Sequence, residues 1–365
     1  MSISIEVLSG LLPKAPAAIL LTIDNKRFLL DAGACIGTTE IPWCLSDEID
    51  AVFISHDHHD HLGGIKKIPR HIPIYCSAFV ATKLSLHDNV HVLPANGCSD
   101  IMGIQVQSGS NGHALGGLWF HFNVEGGLFY SGDYCLESDT YRFDFPPVAK
   151  TALLDMSYGG YNTPLIKQQE QLSDELNEIR HIGSILLPVP ASGRSIELAI
   201  WLEEHFSWQI CFDENGFQHI QQALQLEDAG LTPRVISRLN NLCQSACVID
   251  NTFNIGPMDI ILAGSPDLDG GLAKTLIDMD ISLVQKTIFT GHIGEYAKEL
   301  CQQKRASFTR WNVHPTLSDS IALTQHLQCQ TLIPLFHPNL ASLETEMFNS
   351  DVHTHSYWEP SYATS

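Results

Sequence analysis

Four side chains able to bind a metal ion lie within six residues of one another. They are His56, His58, Asp60 and His61, in the segment Ser-His-Asp-His-His-Asp-His-Leu-Gly-Gly. Imidazole binds zinc, iron and manganese, and a carboxylate suits the harder of these ions. Because neighbouring side chains point in different directions, four ligands at this spacing can serve two adjacent ions. The competing interpretation is a solvated, histidine-rich turn that binds metal adventitiously.

The residues on either side of the histidines favour a built site. Residues 51–54, Ala-Val-Phe-Ile, form an apolar run that predicts a buried strand. The histidines would then lie on the loop that leaves the carboxyl end of this strand, where open α/β layers place their sites. Gly63 and Gly64 follow the motif. A strand before the motif and a glycine pair after it favour a metal site over a solvated turn.

Three more residues of ligand type follow predicted strands or tight turns. His113 lies in Asn-Gly-His-Ala-Leu-Gly-Gly, where glycines let the backbone approach a site closely. Asp133 ends Tyr-Ser-Gly-Asp, and His337 ends Ile-Pro-Leu-Phe-His. A single His or Asp at a strand end is more often a cap or a hydrogen-bonded polar group. Together with the cluster at 56–61, however, the set is hard to assign to chance.

Hydrophobic periodicity divides the chain near residue 160. The first part predicts short strands, beginning with a hairpin of 18–23 and 27–31 and continuing with 73–76, 90–93, 102–107, 118–123, 127–131 and 151–155. In the second part strands alternate with helices, which predicts a parallel α/β layer. Its predicted strands are 184–189, 246–249, 259–263 and 286–289, and its predicted helices are 167–181, 195–205, 232–241, 270–279 and 294–302. The chain then predicts strand 308–311, helix 317–327, strand 330–335, helix 339–347 and a loose tail at 351–365.

Composition favours a soluble protein and weighs against a polyanionic partner. The 365 residues, 44% of them hydrophobic, allow one or two domains. With 20 basic and 41 acidic residues the net charge is −21, whereas nucleic-acid-binding proteins normally carry a basic footprint. Bound divalent ions or a local basic groove can offset an acidic exterior, so a nucleic-acid partner is not excluded. Ten cysteines without paired spacing, no signal-peptide pattern and no long apolar run predict a cytoplasmic protein without a membrane partner.

Taken in order, the motifs resemble those of the metallo-β-lactamase superfamily. Asp31, after Phe-Leu-Leu, looks like the first superfamily motif, and residues 56–61 match the second. His113 in Gly-His-Ala-Leu-Gly and Asp133 in Ser-Gly-Asp match the third and fourth. The resemblance extends over roughly residues 3–350.

Three later motifs resemble those of one branch of the superfamily, the β-CASP nucleases. They are Asp155 in Leu-Leu-Asp-Met-Ser, His314 in Trp-Asn-Val-His-Pro-Thr, and His337. The resemblance implies an α/β fold, an αββα metallo-β-lactamase sandwich with an inserted β-CASP α/β cap domain. Residues 1–160 and 309–365 would form the sandwich, and residues 161–308 the cap.

The resemblance also implies a site for two Zn²⁺ ions, with Mn²⁺ admitted by a mixed His/carboxylate ligand set. The implied ligands are His56, His58 and His113 for one ion, Asp60, His61 and His337 for the other, and Asp133 as a bridge. Two ions about 3.5–4 Å apart can share a hydroxide and hold the oxygens of a phosphoryl group under attack. Asp31 would orient a ligand histidine and not bind metal itself.

The implied catalytic residues are Asp60, His314 and Asp155. His314 would be the general acid for the leaving oxygen, and Asp155 would hold and tune it. The alternative for this pair is a structural hydrogen bond, since distance cannot be read from the sequence.

Substrate contacts are expected from the inserted segment. Arg194 opens a helix after a Ser-Gly turn, so a helix N-terminus and a guanidinium together could hold a phosphate. A surface arginine is an equally good interpretation. Ser265 and His292 are expected in loops that face the cleft. The basic cluster of residues 66–70 could contact a nucleic-acid backbone, but a solvated helix face is the better interpretation.

The leading functional hypothesis is a metal-dependent phosphodiesterase acting on RNA or single-stranded DNA. The alternative enzyme is a hydrolase of a small ester, thioester or lactone, which the net charge favours. A catalytically inactive scaffold is disfavoured because every matched position carries a ligand residue. The choices between RNA and DNA and between internal and terminal cleavage stay open, as do the physiological metal and a homodimeric state.

Overall fold

The computed structural model describes residues 2–179, 183–249, 260–279 and 284–360. Within these ranges the strands are β1 (Ile3–Ser9), β2 (Ala18–Ile23), β3 (Lys26–Leu30), β4 (Ala51–Phe53), β5 (Ile74–Cys76), β6 (Val90–Val92), β7 (Gly97–Ile101), β8 (Ile104–Ser110), β9 (Leu118–Phe122), β10 (Leu128–Tyr130), β11 (Thr151–Asp155), β12 (Ser184–Pro188), β13 (Ile210–Asp213), β14 (Cys247–Ile249), β15 (Ile260–Ala263), β16 (Val284–Phe289), β17 (Ala306–Phe308), β18 (Thr331–Leu335), β19 (Asp351–Val352) and β20 (Tyr357–Trp358). The α-helices are α1 (His59–Leu62), α2 (Ala78–Ala81), α3 (Leu165–Ile179), α4 (Arg194–His205), α5 (Glu214–Leu224), α6 (Pro233–Ser245), α7 (Gly271–Asp278), α8 (Glu295–Gln302) and α9 (Leu317–Leu327).

Two seven-stranded sheets pack face to face. Their strand orders are β20-β1-β2-β3-β4-β5-β6 and β19-β18-β11-β10-β9-β8-β7. Side chains that alternate along the strands meet between the sheets, where Phe53 packs edge-on against both Phe120 and Phe122. Helical segments cover the outer faces, with Val80 of α2 on one side and Leu323 of α9 on the other. The predicted αββα sandwich is therefore confirmed.

A third sheet consists of six strands in the order β14-β13-β15-β12-β16-β17, and all its pairings are parallel. Helices α4 to α8 connect these strands, and apolar clusters lie on both faces of the sheet. The predicted parallel layer, which is the inserted cap, is confirmed. The exact limits of the cap, at 160/161 and 308/309, stay a prediction. No helix among the described residues is long and apolar enough to cross a bilayer.

Some predicted elements were wrong or incomplete. Residues 339–347 form two short 3-10 turns and no α-helix, because the Asn339 side chain accepts a hydrogen bond from the Ala341 amide and caps a tight turn. The strand predicted at 308–311 ends at Phe308. The tail, predicted to be loose, adds the edge strands β19 and β20, one to each sandwich sheet.

The elements that were not predicted are β7, β13, α5, the one-turn helices α1 and α2, and the edge strands β19 and β20. For α5 a signal existed, since Asp213 follows an apolar run and its side chain accepts a hydrogen bond from the Gly216 amide. The ends of two predicted elements, residues 180–181 and 259, lie outside the described residues. All ten cysteines are described and all carry free thiols.

Candidate metal centre

The histidine-rich segment begins at the carboxyl end of β4, an inner strand of the first sheet, as its sequence predicts. His56 is fully buried, and the Nε2 atoms of both His56 and His58 are buried without a hydrogen-bond partner. A buried nitrogen without a partner is unfavourable unless a ligand satisfies it. Two such nitrogens in one place fit a bound cation.

Asp31 is the centre of a buried hydrogen-bond network at the end of β3. One of its oxygens accepts from the Ser55 amide at 2.6 Å. The other accepts from Ser55 Oγ at 2.7 Å, His61 Nδ1 at 2.7 Å and Tyr130 Oη at 2.6 Å. Because its Nδ1 is held in this way, the ring of His61 directs Nε2 away from Asp31 and into the site. This is the arrangement expected of a residue that orients a ligand.

A first group of possible ligands contains His56, His58, His113 and Asp133, each offering one atom within 4.8 Å of the others. The Nδ1 of His113 donates to the Val313 carbonyl at 2.6 Å, so its Nε2 is the nitrogen left to bind a metal. Burial and the surrounding imidazoles hold the pKa values of His56 and His113 well below the usual range. Both rings are therefore neutral, the form that binds metal.

A second group contains Asp60, His61 and Asp133, so Asp133 is common to both groups. His61 Nε2 lies 3.1 Å from Asp133 Oδ1. Burial lowers the pKa of His61, but the charges of Asp133 and Asp31 raise it well above the usual value. Gly132 makes this placement possible, since its φ is +55° and a Cβ there would come within 2.6 Å of the Ser55 side chain.

His337 does not join either group among the described residues. It follows β18 and is buried, and its Nδ1 accepts a hydrogen bond from the Asn339 amide at 3.1 Å. The preceding residue, Phe336, has a φ of +59° and packs its ring against His61, with 5.6 Å between the ring centroids. It is therefore the ring of Phe336, and not that of His337, that contacts His61. The role of His337 as a ligand stays a prediction.

His314 and Asp155 form a third group of possible ligands with Asp133, next to the first two groups. His314 Nδ1 is 2.7 Å from Asp155 Oδ2, and the other oxygen of Asp155 accepts from the Ser157 amide and hydroxyl. Burial lowers the pKa of His314, but the charges of Asp155 and Asp133 raise it to about 9. The side chain of His314 is 22% exposed, so the ring is reachable from the cleft.

A cavity of about 970 Å³ lies over this centre, between the sandwich and the cap. It is lined by His58, Asp60, His61, His113, Asp133 and His314 from the sandwich, and by Arg194, Ser265 and His292 from the cap. The structure therefore brings the three predicted substrate contacts to the mouth of the metal centre. The basic residues at 66–70 do not line it, and Lys67 instead donates to the carbonyls of Ile41 and Trp43.

Arg194 is not a surface arginine. It is 7% exposed, and its Nε has no hydrogen-bond partner. Burial lowers the pKa of its guanidinium. The guanidinium lies against Gly291 so closely that a Cβ at this glycine would collide with it. A glycine at position 291 is therefore required for Arg194 to lie at the cleft.

Sequence reasoning missed three more cations that line the cleft, namely Lys14, Lys298 and Arg310. Lys14 Nζ lies 2.8 Å from the ring nitrogens of His292, 278 residues away in the chain. Burial and the charge of Lys14 are the main causes that lower the pKa of His292. No local pattern around any of these residues indicates the cleft, because Lys14 and Arg310 lie on two separate loops and Lys298 lies on α8.

Comparison with known proteins supports the same class. Residues 26–142 match a family model described as a β-lactamase superfamily domain. A crystal structure of a protein of unknown function from Enterococcus faecalis V583 superposes with a TM-score of 0.67 over 99% of this chain and 100% of that one. Because the two sequences are 13% identical, this likeness concerns the fold alone.

Three curated relatives are similar over longer stretches. The transcription termination factor FttA of Lokiarchaeum sp. is 27% identical over 257 residues, 57% of this chain and 40% of that protein. Cleavage and polyadenylation specificity factor 73 of Drosophila melanogaster is 22% identical over 324 residues, 72% and 46% of the two chains. Endoribonuclease ysh1 of Schizosaccharomyces pombe is 22% identical over 314 residues, 70% and 41%. The chain spans less than half the length of each relative.

The αββα sandwich and the paired ligand groups at its edge define a metal-binding protein of the metallo-β-lactamase type. Residues 26–142 carry a β-lactamase superfamily domain, and the similarity to these relatives supports the β-CASP branch of the metallo-β-lactamase superfamily. The relatives give no support for a homodimer.

Proposed function

We propose that the protein is a metal-dependent phosphodiesterase that cleaves RNA, with single-stranded DNA as the alternative polymer. The observation that carries this proposal is the sharing of Asp133 by two ligand groups beside a histidine–aspartate pair. Two adjacent cations and one acid are what an in-line phosphoryl displacement requires. The name of the ysh1 relative describes an endoribonuclease, which favours RNA.

The residues present fit two metal ions. His56, His58 and His113 would hold one, Asp60 and His61 the other, and Asp133 would bridge them, with His337 proposed as a further ligand of the second. Bound there, the ions would supply a nucleophile at neutral pH and neutralise the phosphoryl oxygens. Zinc is favoured because the ligands are mainly imidazoles, and the two carboxylates leave manganese as the alternative.

His314 is proposed as the general acid. Its Nδ1 is engaged by Asp155, so Nε2 carries the proton that can be donated to the leaving oxygen. A pKa of about 9 keeps this proton in place at neutral pH. Asp155 would act by orienting the ring and stabilising its charged form.

The charges of the cleft support a phosphate-bearing substrate. The chain has a net charge of −21, and yet four of its cations line this cavity, namely Lys14, Arg194, Lys298 and Arg310. Neither arginine forms an ion pair with a carboxylate in the described part of the chain. A buried guanidinium without a carboxylate is a good partner for a phosphate. Asp267 and Asp269 also line the cavity and offset part of this positive charge.

The test is direct. Zinc- or manganese-loaded protein is incubated with end-labelled single-stranded RNA and DNA, beside an Asp60→Ala/His61→Ala control. We expect the wild type to cleave RNA and the control to be inactive. Equal cleavage by both proteins would indicate a contaminating nuclease. Hydrolysis of a thioester or lactone, without cleavage of either polymer, would replace the proposal with the small-ester hydrolase.

A further inference from the structure

An exposed phenylalanine lies at the rim of the cleft. Phe308 ends β17, the edge strand of the cap sheet, and is 41% exposed although it is large and apolar. Its two neighbours point the other way, since Ser307 Oγ and Thr309 Oγ1 both donate to the carboxylate of Glu175 on α3. Because side chains alternate along an extended chain, this anchoring turns the Phe308 ring towards the cavity.

Arg310 lies on the same side of the chain and is held by aromatic rings. The central carbon of its guanidinium is 4.6 Å from the ring centroid of Tyr161, 4.8 Å from that of Tyr158 and 5.9 Å from that of Phe308. No ion pair or side-chain hydrogen bond engages it in the described part of the chain. Cation–π contacts hold the face of a guanidinium and leave its N–H groups free for an anion.

Tyr158, one of the rings around Arg310, also contacts the proposed acid, His314. Tyr158 lies three residues after Asp155, and its ring is 5.3 Å from the ring of His314, centroid to centroid. Its hydroxyl accepts a hydrogen bond from the Val313 amide at 3.1 Å. Tyr158 therefore contacts both Arg310 and His314, so the guanidinium lies in the same part of the cleft as the proposed acid.

We propose that Phe308 and Arg310 form a nucleotide subsite, in which the ring stacks on an unpaired base and the guanidinium pairs with that nucleotide's phosphate. This inference rests on the proposed nuclease function and adds a requirement for single-stranded substrate beside the cleaved bond. Bases in a duplex already stack on one another, whereas an unpaired base presents a free face to an aromatic side chain. Phe308 and Arg310 would not discriminate between the four bases, since every base offers a face for stacking.

The test measures binding to zinc-loaded protein that carries His314→Ala to slow cleavage. The probes are a fluorescent single-stranded oligoribonucleotide short enough to bind in one register only, the same strand with one abasic nucleotide moved along it, and the duplex, each followed by anisotropy. We expect one abasic position to raise Kd about tenfold, and the duplex to bind about as weakly as that strand. With Phe308→Ala added, the abasic and intact strands should bind equally, and Phe308→Tyr should restore the difference.

Arg310→Ala should weaken every strand and reduce the slope of log Kd against log salt by about one. The matched controls are Phe145→Ala, an exposed phenylalanine outside the cleft, and Arg305→Ala, an exposed arginine outside it. Zinc content and Tm of each variant show that it is folded.

A flat abasic scan, or a scan that Phe308→Ala leaves unchanged, would overturn the subsite. If the wild type nevertheless cleaves RNA, the nuclease stands and only the subsite fails. If it neither binds nor cleaves RNA or DNA, both proposals fail.

Discussion

Ser192, on the loop after β12, donates a hydrogen bond of 2.8 Å to Asp57, the residue between the first two histidines of the metal segment. The carboxylate of Asp57 is 7% exposed. A polar contact between two loops from different sheets thus joins the cap to the proposed ligands His56 and His58. A second cap residue, His219, places its Nε2 3.9 Å from the same carboxylate.

Ser192→Ala is expected to destabilise the protein and to weaken substrate binding. Loss of a buried hydrogen bond to a charged acceptor costs about 1.5–3 kcal/mol of unfolding free energy. Ser195→Ala is the matched control, since that buried hydroxyl donates only to the Ala191 carbonyl of its own turn. Urea unfolding and KM for RNA provide the two measurements. Equal effects of the two substitutions would show that the contact between the loops has no special role.

His314→Ala is expected to lower kcat by about 10²–10⁴-fold with zinc content unchanged, because it removes an acid and no metal ligand. Asp155→Asn should preserve the ring contact but remove the charge that raises the pKa of His314. The rate of the wild type should fall as the pH rises through the pKa of His314, where the acid loses its proton. In Asp155→Asn this fall should move to lower pH. If kcat depended on pH in the same way in the wild type and in Asp155→Asn, His314 held by Asp155 would not be the general acid.

Asp31→Ala is expected to weaken zinc binding about 10–100-fold, although Asp31 is assigned no bond to the metal. The reason is that Asp31 holds Nδ1 of His61 and thereby directs Nε2. Competition with a chromogenic chelator measures the affinity. Glu48→Ala is the control, because it also removes one acid, but an exposed one. An unchanged affinity would mean that burial alone orients the ring.

His337→Ala tests the one proposed ligand that the structure does not place in a group. If His337 binds the second ion, the variant should retain about one zinc per chain, as expected for His61→Ala. Metal analysis after gel filtration gives the stoichiometry. Retention of two ions would show instead that Asp60, His61 and Asp133 suffice.

Because the carboxyl group of Glu197 is buried, we expect the free energy of unfolding to decrease as the pH rises. Glu197 is 4% exposed and accepts hydrogen bonds from Ser138 and Trp311, and burial raises its pKa from the usual 4.5 to about 7. The folded state therefore binds more protons than the unfolded state between these values. The stabilisation, about 3 kcal/mol, is complete below a pH of about 4.5 and is lost as the pH rises through about 7. Tm should fall across this window, and less so in Glu197→Gln.

The elements of the fold were largely predictable because their signals are local. The hairpin of β2 and β3 follows from two apolar runs around a polar turn, and the parallel cap sheet follows from strands alternating with helices. The helix expected at 339–347 failed because a side chain caps a tight turn there, and a capping hydrogen bond leaves no mark on hydrophobic periodicity. Strand β20 escaped notice because two residues are too short to show any period.

By itself the sequence determined the metal-binding chemistry of this protein. Four ligand types within six residues at the end of a buried strand need no distant contact to be recognised, and the family resemblance of later motifs predicted roles for Asp133 and His314. Only the tertiary structure decided what surrounds them. Arg310 meets Tyr158 and Lys14 meets His292 across loops far apart in the chain, and such contacts depend on how the cap packs against the sandwich. Local residue patterns specify ligands, whereas packing between distant segments specifies what those ligands can act upon.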